Sequence, residues 1–219
     1  MAKRIGVLLA GCGYLDGAEV HEATLTLYFL DKAGAEIIPM APDKPQADVV
    51  NHQKGEPSGE TRNVLAEAAR ISRGNMKDVA AVSADDLDAL IIPGGFGAAK
   101  NLCTFAKDGP DCTVDPGVEK LVRAMRSANK PIGALCIAPA LLAKVLGPDH
   151  HVEVTIGNDE GTAKAIESLG AKHVNKPVED IVVDDANKVV TTPCYMLGPG
   201  PAAVGAGIEK LVDQVLSWL

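Results

Sequence analysis

The stretch Pro131-Ile-Gly-Ala-Leu-Cys136-Ile-Ala-Pro139-Ala140 decides the fold. Its first half is a short apolar run of strand type. Its second half opens a helix, with Pro139 suited to the first turn, where a missing N–H costs nothing. Cys136 falls at the junction. The residues two before and two after it, Ala134 and Ala138, are small, as the tight turn of a nucleophile elbow requires. A sulfur there lies at a helix N-terminus, whose dipole and free N–H groups favour a thiolate. Cys136 is therefore the candidate nucleophile. Its bland alternative is a buried structural cysteine.

Working outward, strand and helix alternate from end to end. Strands are expected at Lys3–Ala10, Ala35–Met40, Ala89–Pro93, Pro131–Leu135 and Val152–Ile156. A closing hairpin is expected from Ile181–Val183 and Lys188–Thr192. Helices are expected at Glu19–Ala33 (stopped by Gly34), Thr61–Arg73, Asp115–Asn129, Ile137–Leu146 and Gly161–Leu169. The last helix carries Val204, Ile208, Leu211, Val212, Val215 and Leu219 on one face. The pattern predicts an α/β three-layer sandwich with a mostly parallel central sheet, residues 1–219 forming one domain. Ligands in such folds sit at the carboxyl ends of the strands. The loops Gly11–Ala18, Ala41–Glu60, Gly94–Lys100, Gly157–Glu160 and Pro193–Pro199 are thus the functional rim. The apolar helix segment Val20–Leu30 either tucks under the long loop or forms a subunit interface.

Composition narrows the class. The 219 residues are 47% hydrophobic and only 3% aromatic, with three Phe, three Tyr and one Trp, so the core is aliphatic. A net charge of −8 leaves no basic footprint for nucleic acid or an anionic membrane. The longest apolar stretch, Pro131–Ala143, is short of the roughly 20 residues of a membrane span. Five cysteines at irregular spacing predict free thiols and a cytoplasmic location. Cys103 and Cys112 lack paired close spacing and a nearby His, so no metal site is expected.

An oxyanion formed at Cys136 needs donors. The Ile137 backbone N–H is one, and the glycine-rich loop Pro93-Gly94-Gly95-Phe96-Gly97 offers a second at Gly95. Cys12, His52, Cys194 and Tyr195 lie in rim loops and are candidate pocket residues. His150 and His151 fall a helix length away from the elbow, and His173 belongs to a strand or its entry. The run Gly11-Cys-Gly13-Tyr-Leu-Asp16-Gly17 departs from the dinucleotide fingerprint. Asp16 and Glu19 would repel a pyrophosphate, so no cofactor is expected.

The strings GCGYLDGAEVHEA, NHQKGE, ETRNVLAEAARISRG, IIPGGFGAAKNL, CIAPA and TTPCYM, in this order along the chain, resemble the ElbB-type isoprenoid-biosynthesis proteins with an amidotransferase-like domain. These belong to the PfpI branch of the class I glutamine amidotransferase-like superfamily. The resemblance implies a flavodoxin-like sandwich, a homodimer and a weak cofactor-independent glyoxalase activity that converts glyoxal to glycolate, with deglycation as a related role. It also implies an acid partner for the elbow cysteine from the first helix, which falls on Glu22. Ile137 stands where a Cys–His enzyme would carry its adjacent histidine, so glutamine hydrolysis is not expected. Two functions stay open: a glyoxalase-type enzyme acting on a small aldehyde through Cys136 and Glu22, and a catalytically weak redox- or carbonyl-sensing or partner-binding module of the same superfamily. The roles of Arg62, Arg70 and Arg73 stay undecided between pocket and helix surface.

Overall fold

A computed structural model describes residues 2–219. In chain order the elements are β1 (Arg4–Leu8), α1 (Val20–Lys32), β2 (Glu36–Ala41), β3 (Val50–Asn51), β4 (Glu56–Pro57), α2 (Val64–Ile71), β5 (Lys77–Asp78), β6 (Ala89–Ile92), α3 (Phe96–Lys100) and α4 (Phe105–Asp108). Then follow α5 (Pro116–Ser127), β7 (Ile132–Leu135), α6 (Pro139–His150), β8 (Glu153–Val154), α7 (Glu160–Ser168), β9 (Lys172–His173), β10 (Val182–Asp184), β11 (Val189–Thr192) and α8 (Pro201–Ser217).

Seven strands form one sheet in the order β10-β11-β7-β6-β1-β2-β5. All its pairings are parallel except β10 with β11, the closing hairpin. The α/β flavodoxin-like sandwich with a mostly parallel central sheet is therefore the observed fold. Each face of the sheet carries an apolar layer. One packs against α5, α6 and α7 through residues such as Leu121, Met125, Leu142 and Ile166. The other packs against α1, α2 and α8 through Ala23, Leu30, Val64, Ile208 and Leu211. Beyond β1 the chain runs one way to β2 and then returns on the other side to β6. The crevice between β1 and β6 is the topological switch point, where such sheets place ligands.

Local signals set the helix ends. Glu19 caps α1 by accepting from the Glu22 N–H at 2.7 Å. At the other end the Gly34 N–H donates to Asp31 O and the Ala35 N–H to Leu30 O, with Gly34 at φ +73°, a turn that glycine alone enters without strain. Asp115 caps α5 ahead of Pro116, its carboxylate accepting from Gly117 N–H.

Three expectations change in detail. The Val152–Ile156 strand is not in the main sheet, and β8 pairs only with β9. Side chains take the N–H groups it would have offered: Asp184 accepts from Glu153 and Thr191 from Thr155. The helix after the elbow starts later, at Pro139, and continues to His150 through Pro148. The long loop holds the small β3–β4 hairpin. Helix α1 packs chiefly against α8 and leaves Val20 and Tyr28 exposed. Among the described residues no helix is long and apolar enough to cross a membrane.

Candidate active site

Strand β7 ends at Leu135, and the next residue turns abruptly. Cys136 has φ +60°, a left-handed conformation costly for a residue with a Cβ and kept where the surroundings over-determine it. Those surroundings are visible. The Cys136 N–H donates to Thr192 O at 2.9 Å, and the Ala138 N–H donates to Leu135 O at 2.9 Å. Ala134 and Ala138 are buried on either side. The elbow expected from sequence is present.

Gly94, at the end of β6, faces it. A Cβ on Gly94 would fall 2.3 Å from the Cys136 Cβ and 2.7 Å from Glu22 Oε2, so only glycine fits. The next residue, Gly95, has φ +92°. Its backbone N–H and that of Ile137 are close enough to the Cys136 sulfur to pull its pKa down. Gly95 and Ile137 are thus both at the thiol.

Glu22, in the first turn of α1, is fully buried. Its Oε2 accepts from the Gly94 N–H at 2.9 Å and its Oε1 from the Tyr195 N–H at 3.2 Å. The carboxyl lies beside the Cys136 thiol, and each group shifts the other. Burial, reinforced by the negative charge of Glu19, raises the Glu22 pKa to about 8 despite the two backbone donors. Burial, and after it Glu22, also holds the Cys136 thiol well above its ordinary value, while the Gly95 and Ile137 N–H groups pull the other way. The two groups therefore titrate as a pair.

The sulfur opens into a cavity of about 500 Å³. Tyr14 and Glu19 reach it from the β1–α1 loop, Phe96 from the start of α3, Phe105 from α4, Thr162 from α7 and Tyr195 from the turn after β11. Tyr195 carries a further contact, its hydroxyl lying 2.7 Å from His21 Nδ1. The other proposed pocket residues are placed differently. Cys194 is buried beside Cys136, itself at φ +47°, and burial pushes its thiol up. His52 braces the rim loop instead of the cavity wall. Its Nδ1–H donates to Val50 O at 3.0 Å and its Nε2 accepts from the Leu15 N–H at 3.3 Å, with Tyr14 edge-on to the ring. Asp16 Oδ1 lies 3.7 Å from the same Nε2. Cys12 is half-buried outside the cavity wall, its thiol raised by burial and then by Glu67.

Arg62 and Arg70 both pair with Glu67 on α2, at 3.4 and 3.0 Å. Arg73 is exposed just beyond that helix. His151 caps α6, with Nδ1 2.9 Å from Gly170 O. His173 accepts from the Ile156 N–H. Of the aromatic wall, sequence reasoning singled out Tyr195 but not Tyr14, Phe96 or Phe105, and it did not single out Thr162. Tyr14 and Phe96 could have been found, since both fall in segments directly after strands, Tyr14 in the β1–α1 loop and Phe96 at the start of α3. Phe105 and Thr162 carry no such signal.

A strained cysteine at a strand–helix elbow, backed by a buried acid at the switch point of a parallel sheet, defines an amidotransferase-like α/β protein. Residues 11–194 match the DJ-1/PfpI family, and the chain belongs to that family. It is 50% identical over 225 residues to the human glutamine amidotransferase-like class 1 domain-containing protein 3, mitochondrial, covering 98% of this chain and 83% of the relative. It is 49% identical to the mitochondrial ES1 protein homolog of Rattus norvegicus, covering 97% of this chain and 83% of that one. A crystal structure of an isoprenoid biosynthesis protein with amidotransferase-like domain from Ehrlichia chaffeensis is similar with a TM-score of 0.93 and 37% identity, over 99% of both chains. The mitochondrial relatives overturn the cytoplasmic location expected above. Free cysteines mark a reducing compartment, and the cytosol is not the only one.

Proposed function

We propose that this protein is a cofactor-independent glyoxalase-type enzyme of the ElbB type, converting small α-oxoaldehydes such as glyoxal to hydroxy acids such as glycolate. The observation that supports it is the Cys136–Glu22 pair, with two backbone N–H groups at the sulfur and an open cavity in front. The Cys136 thiolate adds to the aldehyde carbon, and the carbonyl oxygen takes a proton, giving a hemithioacetal. Glu22 removes the hydrogen from that carbon and returns it to the neighbouring carbon through an enediol. The first carbon becomes a thioester and the second an alcohol, so oxidation and reduction balance within the substrate and no external redox partner is called for. Water then releases the hydroxy acid and the free thiol. Gly95 and Ile137 N–H groups stabilise the oxyanions. The chain acts as one domain and as a homodimer, for which the exposed Val20 and Tyr28 of α1 offer an apolar face.

Glutamine hydrolysis fits less well. The cavity wall has no cation to hold an amino-acid carboxylate, and its charged member is the acid Glu19. One observation favours the second function, in its form as a catalytically weak partner-binding module: burial keeps the Cys136 thiol protonated well above its ordinary range, which slows its attack on a carbonyl. Steady-state kinetics with glyoxal separate the two. Saturation, with loss of turnover in both Cys136→Ser and Glu22→Gln, is the expected result. A linear dependence on aldehyde that ignores Glu22→Gln identifies the module instead.

A further inference from the structure

The cavity in front of Cys136 is far larger than glyoxal. Glyoxal has four heavy atoms, whereas about 500 Å³ lies within the range that holds drug-sized ligands. Its walls are also chemically distinct from the rest of the molecule. The chain has only three Phe, three Tyr and one Trp. Four of these seven aromatics, Tyr14, Phe96, Phe105 and Tyr195, stand around this one cavity. Phe105 and Tyr195 pack partly against the largely aliphatic core, whereas Tyr14 and Phe96 belong to neither of its layers. Tyr14 and Phe96 are each 49% exposed, so each ring stays half open even with Lys100 over Phe96. Flat aromatic walls left open beside a nucleophile suit a flat or branched apolar group.

Charge adds a second restriction. Glu19 is the charged side chain in the wall. One of its oxygens accepts from the Glu22 N–H, and its backbone N–H donates to Gly94 O at 2.9 Å, so it cannot swing away without unmaking the cap of α1. Lys100, whose ammonium lies 5.4 Å from the Phe96 ring centroid, is tied to Asp48 and Leu15 O.

We infer that the substrate of this site is an α-oxoaldehyde whose second substituent is a bulky apolar group, neutral or cationic but not anionic, and that Glu19 is the residue that excludes the anions. This rests on the glyoxalase-type function proposed above and names its substrate class. The aryl or branched alkyl group lies against Tyr14, Phe96 and Phe105, which brings the aldehyde carbon to Cys136. A carboxylate on that group would meet Glu19 in a partly desolvated site, where like charges repel strongly.

The test compares kcat/KM of the intact protein for glyoxal, phenylglyoxal and 4-carboxyphenylglyoxal. Each value is corrected for the residual rate of Cys136→Ser. Phenylglyoxal is expected to exceed glyoxal at least tenfold and the carboxylated compound at least tenfold. Phe96→Ala should lower the phenylglyoxal-to-glyoxal ratio. Glu19→Gln keeps an oxygen to cap α1, so a purely structural role would scale all three substrates alike. The inference instead requires the carboxylated-to-uncharged ratio to rise at least tenfold in that variant. Cys136-dependent turnover in which glyoxal equals or exceeds phenylglyoxal overturns the substrate class and leaves the enzyme function standing. A carboxylated-to-uncharged ratio that Glu19→Gln does not move overturns the role of Glu19. Turnover of none of the three overturns the glyoxalase function and the inference together.

Discussion

Two buried thiols in this molecule face opposite chemical situations. Cys136 and Cys103 are both almost wholly buried, and burial raises both. Cys103 reaches about 12. Cys103 has no strained backbone angle, and its thiol donates to Ala98 O at 3.4 Å, which favours the protonated form. Cys103 has one backbone N–H, from Phe105, that favours its thiolate; Cys136 is held at φ +60° and has two, from Gly95 and Ile137. The neighbours differ as well: Cys103 has the thiol of Cys112, whereas Cys136 has the carboxyl of Glu22. Burial alone makes an inert thiol. A strained elbow, aimed donors, an acid partner and a cavity together make a candidate nucleophile.

The largest expected effect breaks this contrast outright. Cys136→Ser should lower aldehyde turnover by about 10³-fold or more, as removal of a nucleophile commonly does. Cys103→Ser should change it less than about threefold, since that thiol lies outside the cavity wall. Equal losses in the two variants, measured by steady-state kinetics on folded protein, would erase the distinction. Next in size is Gly94→Ala. Its added methyl overlaps Cys136 and Glu22 and should cost about 10²-fold in activity by displacing the pair, in line with the cost of misplaced catalytic groups.

A third effect sharpens the electrostatics. Alkylation of Cys136 by iodoacetamide, followed by mass spectrometry, should accelerate only above the ordinary range of a cysteine thiol, because burial and then Glu22 hold the thiol up. Because the Glu22 charge holds the thiol up, Glu22→Gln should move that rise to lower pH. Cys103 should stay unmodified over the same range. The fourth concerns stability. The folded pKa of Glu22, about 8, lies above the unfolded value of about 4.3, so the folded state holds a proton that the unfolded state releases. The stability contributed by that proton is complete below about pH 4 and is lost as pH rises through about 8. The Tm advantage of Glu22→Gln over the parent should therefore grow between pH 5 and 8 and then level. An advantage that is flat with pH would mean that Glu22 is ionised throughout. Smallest is Cys103→Ala, which removes one packed sulfur and should cost about 1 kcal/mol, a Tm drop of about 2–4 °C for a chain of this size.

The sequence carried the elbow because its requirements are local. A strand, a cysteine flanked by Ala134 and Ala138, and a proline-initiated helix all lie within ten residues. The cap at Glu19, the stop at Gly34 and the closing hairpin are likewise short-range. Glu22 was reached through resemblance alone, because it lies 114 positions from Cys136 and no local pattern links them. The fate of β8 was hidden for the same reason. Its sequence favours a strand, but Asp184 and Thr191, far along the chain, take its N–H groups. His52 shows the converse: its place in a rim loop was legible, while its bonds to Val50 O and the Leu15 N–H were not.

The sequence by itself determined the alternation of strand and helix, the position of the nucleophile and the glycines opposite it. Each depends on periodicity, turn geometry or the lack of a Cβ within one short segment. Only the tertiary structure decided that Glu22 is fully buried against the sulfur. It also gathered four scattered aromatics and Glu19 into one cavity, and set Cys103 apart from Cys136. Desolvation, charge coupling and cavity shape arise between segments distant in the chain, once the sheet order β10-β11-β7-β6-β1-β2-β5 has brought their loops to one rim.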